Sequence, residues 1–471
     1  MNSSRVAPAM SLPLFTRRAF LQRSWGGLGV VALNALLHEQ ILRAAGPLLA
    51  GAAHPLARAK RVVFIFLNGA PSQVDLWDPK PELFKRHGQR PPGEVPDNGI
   101  SFGMENMRLM RPLADFQPHG QSGIEFSGLL PHLSRHVDDL CLLRALHTDN
   151  SAHEPATFQM HTGSVFQGRP SFGAWVSYGL GTLNENLPAF MALGGSARTY
   201  GCGFLPAAHQ GTPIAASKMP IKYLNDAGET SDLKRAQFKL TQQFNQATLA
   251  QAGPDPQLEG MIETMELAFR MQTEASGLGD FSKESKATLE LYGIGEKDTD
   301  ETAKKCLLAR RCLEAGVRFV LINQGSWDHH GDIAGKHPES ARQLDKPVAG
   351  LLADLKQRGM LEDTLVVCTG EFGRTPAAQI DPRMVEKPGR DHNRFAFTGW
   401  IAGGGFKPGF VYGATDELGF AAVEGKVHVH DLHATLLHQL GIDHKELTYR
   451  HAGRDYRLTD VAGKVVKQIT T

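Results

Sequence analysis

Cysteine is scarce in this chain. There are only Cys141, Cys202, Cys306, Cys312 and Cys368. The number is odd and no two form a C-x-x-C, which argues against a disulfide framework or a thiolate zinc site. Cys141, Cys306 and Cys368 lie in apolar runs and read as buried core thiols. An excess of charge of one sign is also missing. Lys and Arg number 50 against 49 Asp and Glu, for a formal net charge of +1. That balance gives no electrostatic basis for binding nucleic acid or an anionic membrane. Beyond the amino-terminal segment, no stretch reaches the roughly 18 apolar residues of a transmembrane helix.

What is present is an ordinary globular composition, 41% hydrophobic and 21% charged over 471 residues. This length allows one large domain or two medium ones. The 50 Gly suit many tight loops. The 20 His are unevenly spread, and several stand beside Asp in the second half.

Thr16-Arg17-Arg18-Ala19-Phe20-Leu21 resembles a twin-arginine export motif. The apolar run that follows, Trp25 to Leu37, is too short and too weakly apolar for a membrane span. Small residues at Ala44-Ala45-Gly46 offer a cleavage region; the alternative is a plain amphipathic helix carrying two arginines. The expectation is a signal segment and linker over 1–46. A mature domain over 47–471 would then act in the periplasm or outside the cell, without a transmembrane helix.

The body alternates strand and helix. Arg61–Leu67, Leu140–Leu146, Ala189–Leu193, Val317–Asn323, Thr364–Cys368 and Phe397–Ala402 are apolar runs that suit strands buried on both faces. Between them, Glu301–Ala315 is a strong helix former. Val348, Leu351, Leu352 and Leu355 mark one helical face closed by Gly359. Asp431–Leu440 reads as a late helix with an acidic start. Such alternation predicts an α/β domain with a mostly parallel central sheet and helices on both faces. The polar, helix-rich stretch at about 225–300 breaks the pattern and reads as a helical insertion.

Ligands of open α/β sheets bind outside the carboxyl ends of the strands. After the first strand comes Asn68. After the second comes His147-Thr148-Asp149-Asn150-Ser151-Ala152-His153. After the fourth comes Asp328-His329-His330, and after the fifth Gly370-Glu371-Phe372-Gly373-Arg374. Gly389-Arg390-Asp391-His392 precedes the sixth. Asp328, His329, His330, Glu371, Asp391 and His392 offer oxygen and nitrogen donors to a divalent metal, with Asn68 as a neutral amide ligand. Polar surface turns are the bland alternative. Ser151, before Glu154-Pro155, is a candidate nucleophile near a helix amino terminus or a simple helix cap. His153 is a ligand, an anion contact or a core histidine. Arg374 and Arg390 either hold an anionic group in bidentate fashion or form salt bridges.

Thr148-Asp149-Asn150-Ser151-Ala152 with His161-Thr162-Gly163 resembles the nucleophile turn and helix of alkaline phosphatases. Val429 to Leu437 is similar to a late sulfatase helix. Nearly the whole chain is similar to the exported family known as domain of unknown function 1501. The matching stretches are Asn68 to Asp75, Trp327 to His330, Gly370 to Pro376, Gly389 to His392 and Thr415-Asp416-Glu417. The resemblance implies an alkaline-phosphatase-like three-layer sandwich. It does not by itself supply a reaction; the hydrolase reading expects a divalent ion (Zn, Mn, Fe or Ca) and a small-molecule or glycan ester of phosphate or sulfate as substrate. The departures are specific. Asn68 stands where the first strand usually ends in a metal-binding Asp. Glu371 and Phe372 stand where Asp and His are usual. No C-x-P-x-R or S-x-P-x-R formylglycine signature occurs. Two readings follow: a metal-dependent ester hydrolase, or a non-catalytic binding or assembly protein on the same fold.

Overall fold

A computed structural model describes residues 57–471 apart from 93–94, 96–106, 218–230, 253–255 and 380–386. The twin-arginine stretch and its proposed cleavage region lie outside the described residues.

A nine-stranded sheet forms the middle layer. Its strands are β1 (Arg61–Asn68), β2 (Leu140–His147), β3 (Phe190–Leu193), β4 (Thr212–Ile214), β5 (Phe319–Gly325), β6 (Thr364–Thr369), β7 (Phe397–Ala402), β8 (Phe410–Tyr412) and β9 (Val427–His428). They lie in the order β8-β2-β7-β6-β1-β5-β3-β4, with β9 beside β2. Neighbours are parallel except at β7, which runs against both β2 and β6. Each of the six strands expected from the apolar runs is there. The start of β5 differs. Gly316 takes φ +93° and the Val317 N–H bonds back to the Cys312 carbonyl, so those residues close the preceding helix.

The continuous apolar character of β1 follows from its surroundings. Val62, Phe64 and Phe66 pack with Met160 of α1 (His153–Thr162), Trp175 of α2 (Phe172–Leu180) and Leu436 of α5 (Val429–Gln439). Val63, Ile65 and Leu67 face the other way. They join Leu308 of α3 (Asp300–Glu314) and Val348, Leu351 and Leu352 of α4 (Ile333–Gln357). Successive strand residues point to opposite faces, so a strand covered on both sides has no polar face. This is the three-layer, mostly parallel α/β architecture expected from the sequence.

Helix α5 begins two residues earlier than Asp431. His428 caps it, and the Asp431 side chain accepts from the His428 backbone N–H, which completes a capping box. In the 225–300 stretch the main elements are helices Ser231–Ala252, Pro256–Glu274 and Lys286–Tyr292. The first two are joined by the stacked rings of Phe238 and Phe269, 4.2 Å apart.

Two histidines are sealed between the sheet and the helices. His161 sits edge-on against Phe66, and His433 lies beside Phe172. Burial pushes both down to about 3. Between about pH 6.5 and 3 each therefore takes up a proton only on unfolding, and stability is lost as pH falls through that window. Replacing His161 with Leu should flatten the acid limb of the stability curve by up to about 1.4 kcal/mol per pH unit. Urea titrations at pH 4, 5 and 7 measure it; an unchanged slope would show that His161 already titrates normally in the folded state.

Candidate metal centre

The carboxyl ends of β1, β2, β5 and β6 share one edge of the sheet. Because β7 is antiparallel, its amino end, preceded by Gly389–Asn393, reaches the same edge. Strand direction therefore gathers residues from five separate stretches of chain.

Four donors converge there: His153, Asp328, His330 and His392, whose ligand atoms all lie within 4.8 Å of one another. His153 is the first residue of α1. Its ring Nδ1 lies 2.7 Å from Glu371 Oε1, and its Nε2 is 3.2 Å from Asp328 Oδ1. That second contact lacks hydrogen-bond alignment, so Nε2 is buried without a hydrogen-bond partner. His392 donates Nδ1–H to the Ser151 carbonyl at 2.5 Å, which fixes its tautomer and leaves Nε2 with a free lone pair. Nε2 of His392 is 2.8 Å from Nε2 of His330, which lies 3.0 Å from Asp328 Oδ1. Phe372, fully buried, is the wall behind the imidazoles, 4.9 Å from the His153 ring and 4.6 Å from that of His392.

Glu371 and Arg374 hold this group from behind. Both Glu371 carboxylate oxygens accept from the Gly69 N–H, and Oε1 also takes the His153 ring. Arg374 is buried. It donates to Asp328 Oδ1 at 2.6 Å and to the carbonyls of Gly69, Ala70 and Arg390. Burial works against the Asp328 charge. The close imidazoles of His153, His330 and His392, together with the Arg374 cation, outweigh it and hold the carboxyl far below the ordinary range. Burial also lowers His153, but Asp328 and Glu371 prevail and push it up to about 9. The two carboxylates thus stabilise positive charge at that ring. Burial, joined by the Arg374 charge, brings His392 down to about 4, despite its contact with Asp328. At neutral pH His392 is an uncharged donor.

The remaining expected site residues lie around this group. His329 turns away from it, with Nδ1 3.1 Å from Nδ1 of buried His337. Adjacent residues on an extended loop cannot both face one point, so His330 turns in and His329 out. Asp391 accepts from the His392 backbone N–H, and burial raises its pKa. Asn68 ends β1 beside the group and lines an open recess that also reaches His153. Ser151 is buried, one residue before the Ala152 cap of α1, so it is not the helix cap itself. Arg390 is committed elsewhere. It holds Asp75 through Nε at 2.8 Å and Nη2 at 3.1 Å, and also the carbonyls of Met110 and Arg111. Arg390 is fully buried against these partners, in an ion pair away from the recess.

The chain belongs to the family described as Protein of unknown function (DUF1501), whose model matches residues 59–470. No curated protein matches it. Among solved structures it is similar to the PsFucS1 sulfatase from Pseudoalteromonas sp., at 12% identity over 82% of this chain and 68% of that one, with a TM-score of 0.37. It is also similar to the lipoteichoic acid synthase LtaP from Listeria monocytogenes, at 10% identity over 85% and 75%, TM-score 0.33. A further match is the alkaline phosphatase from the Antarctic bacterium TAB5, at 12% identity over 74% and 92%, TM-score 0.30.

Asp75 and Arg390 are both fully buried, so removing one partner strands the other charge. Asp75→Ala should cost about 3–5 kcal/mol in chemical denaturation. A loss under about 1 kcal/mol would mean that water or another carboxylate reaches Arg390.

Proposed function

We propose that this member of the family is an exported hydrolase of phosphate or sulfate esters that works with a divalent metal ion. The observation that supports this reading is the convergence of three imidazole Nε2 atoms and one carboxylate oxygen beside an open recess. The donor set fits a cation on its own terms. His153 Nε2 is a buried, unpartnered atom. The facing Nε2 atoms of His330 and His392 share at most one proton between them. Three nitrogens and one oxygen suit Zn, Mn or Fe better than Ca, which prefers oxygen ligands.

His153, Asp328, His330 and His392 would hold the ion. A divalent ion there supplies Lewis-acid stabilisation of charge on the ester oxygens. Glu371 and the Ser151 carbonyl orient two of the imidazoles by taking their Nδ1 protons, an arrangement that also raises donor strength. Arg374 places a fixed positive charge beside Asp328. The Ser151 hydroxyl, just before the amino terminus of the ten-residue helix α1, is the candidate nucleophile. The positive end of that helix favours an anionic group nearby. The twin-arginine-like segment supports export to the periplasm or the cell exterior. A binding protein with the same centre is the second reading, and the buried position of Ser151 favours it.

Metal analysis and ester assays separate the roles. His392→Ala and Asp328→Ala should lose bound metal outright. Glu371→Gln should keep all four donors but bind metal about 10–100-fold more weakly, as loss of an orienting partner does. Ser151→Ala should keep its metal and lose turnover of aryl phosphates, aryl sulfates or phosphodiesters. Full metal content in His392→Ala would remove the centre, and full turnover in Ser151→Ala would remove the nucleophile.

A further inference from the structure

Beside the centre lies a recess of ≈ 370 Å³, with Asn68, His153, Glu154, Ser196, Arg198 and Asn323 among its walls. Asn68 and Asn323 come from neighbouring strands. Phe66 pairs with Asn323, and Asn68 lies two residues beyond Phe66, so both carboxamides project to the same face. The opposite wall is the turn after β3, where Gly194 and Gly195 take φ +86° and +84°. A Cβ on Gly195 would come within 2.5 Å of Thr199 Oγ1 and 3.5 Å of Asn323 Nδ2. Only glycine lets this turn approach while the space in front of Asn323 stays open. Glu154 and Arg198 meet at 3.0 Å and join α1 to that turn.

The lining chemistry is selective. Among the described residues, neither carboxamide has a side-chain hydrogen-bond partner. Each offers a donor and an acceptor side by side, the pattern that adjacent hydroxyls match. The one acid and the one guanidinium neutralise each other, and His153 is the only ring in the lining. The volume is that of a small-ligand pocket. Away from His153, an anion finds no unpaired cationic side chain in the lining, and an aromatic group finds no broad apolar wall.

We infer that the recess is a subsite for a neutral polyhydroxylated ring, a sugar or cyclitol, whose hydroxyls are read by Asn68 and Asn323. The inference rests on the hydrolase reading only in making that ring the alcohol half of the ester; the binding itself needs no turnover.

The test is calorimetric titration of the metal-loaded full chain with methyl hexopyranosides and myo-inositol, with cyclohexanol and an acetylated dipeptide amide as controls. At least one polyol should bind, and Asn68→Ala or Asn323→Ala should weaken it about tenfold, the loss of roughly one hydrogen bond. Metal content should stay that of the parent, which also reports an intact fold. Polyol binding no better than cyclohexanol, binding indifferent to both substitutions, or preference for the dipeptide would each overturn the assignment. Protein that hydrolyses no ester yet binds polyols through these asparagines would overturn the hydrolase and leave the subsite. Active protein that binds none would do the reverse.

Discussion

One carboxylate oxygen, Asp328 Oδ1, lies 3.2 Å, 3.0 Å and 3.7 Å from the Nε2 atoms of His153, His330 and His392, and 2.6 Å from Arg374 Nη2. The geometry of the sheet edge is organised around that oxygen. His153 is brought by the helix after β2, His330 by the loop after β5, and Arg374 by the strand after β6. His392 precedes the one antiparallel strand. Were β7 parallel, its leading segment would sit at the opposite edge and the group would lose a donor. The reversal of a single strand is thus a condition of the site.

The fold was legible because its strands are covered on both faces. A run such as Arg61–Leu67 has no polar alternation to mislead, and its partners must be helices. The loop-end concentration of Asp and His was legible for the same reason, since it depends only on where strands stop. Which of two adjacent side chains turns inward was not. His329 and His330 are the same residue type, one position apart. Only the buried His337 on α4, which takes His329, decides between them. Arg374 and Arg390 likewise stand on paired strands of one small sheet. Arg374 pairs with His392 in register, which puts it beside the donors, while Arg390 is claimed by Asp75. Asp75 follows the first strand in a short buried helix. Nothing in the local pattern around Arg390 signals a partner so distant along the chain.

Asn323 illustrates a third kind of residue. It lies near the end of an apolar strand, where a polar residue reads as a simple end signal. Its meaning depends on the glycine turn after β3, a neighbour in space and not in sequence. Conversely, Phe372 looked like a lost ligand when set against the family resemblance. In place, it is the wall on which the His153 and His392 rings rest.

The charge balance around Asp328 bears on how many ions the centre can hold. Asp328 and Glu371 contribute carboxylates, Arg374 a guanidinium, and buried His392 stays neutral. Burial pushes Asp391 toward its neutral form. One divalent ion would leave a modest positive excess, matched to an ester anion. A second would have to sit close to Arg374 with few donors left, since Glu371 is engaged by Gly69 and His153 and Asn68 is uncharged. Uncompensated charge of one sign is costly beside buried groups such as Arg374 and Glu371. Arg374 therefore supplies, as part of the chain, a positive charge beside Asp328 in addition to that of any ion held there.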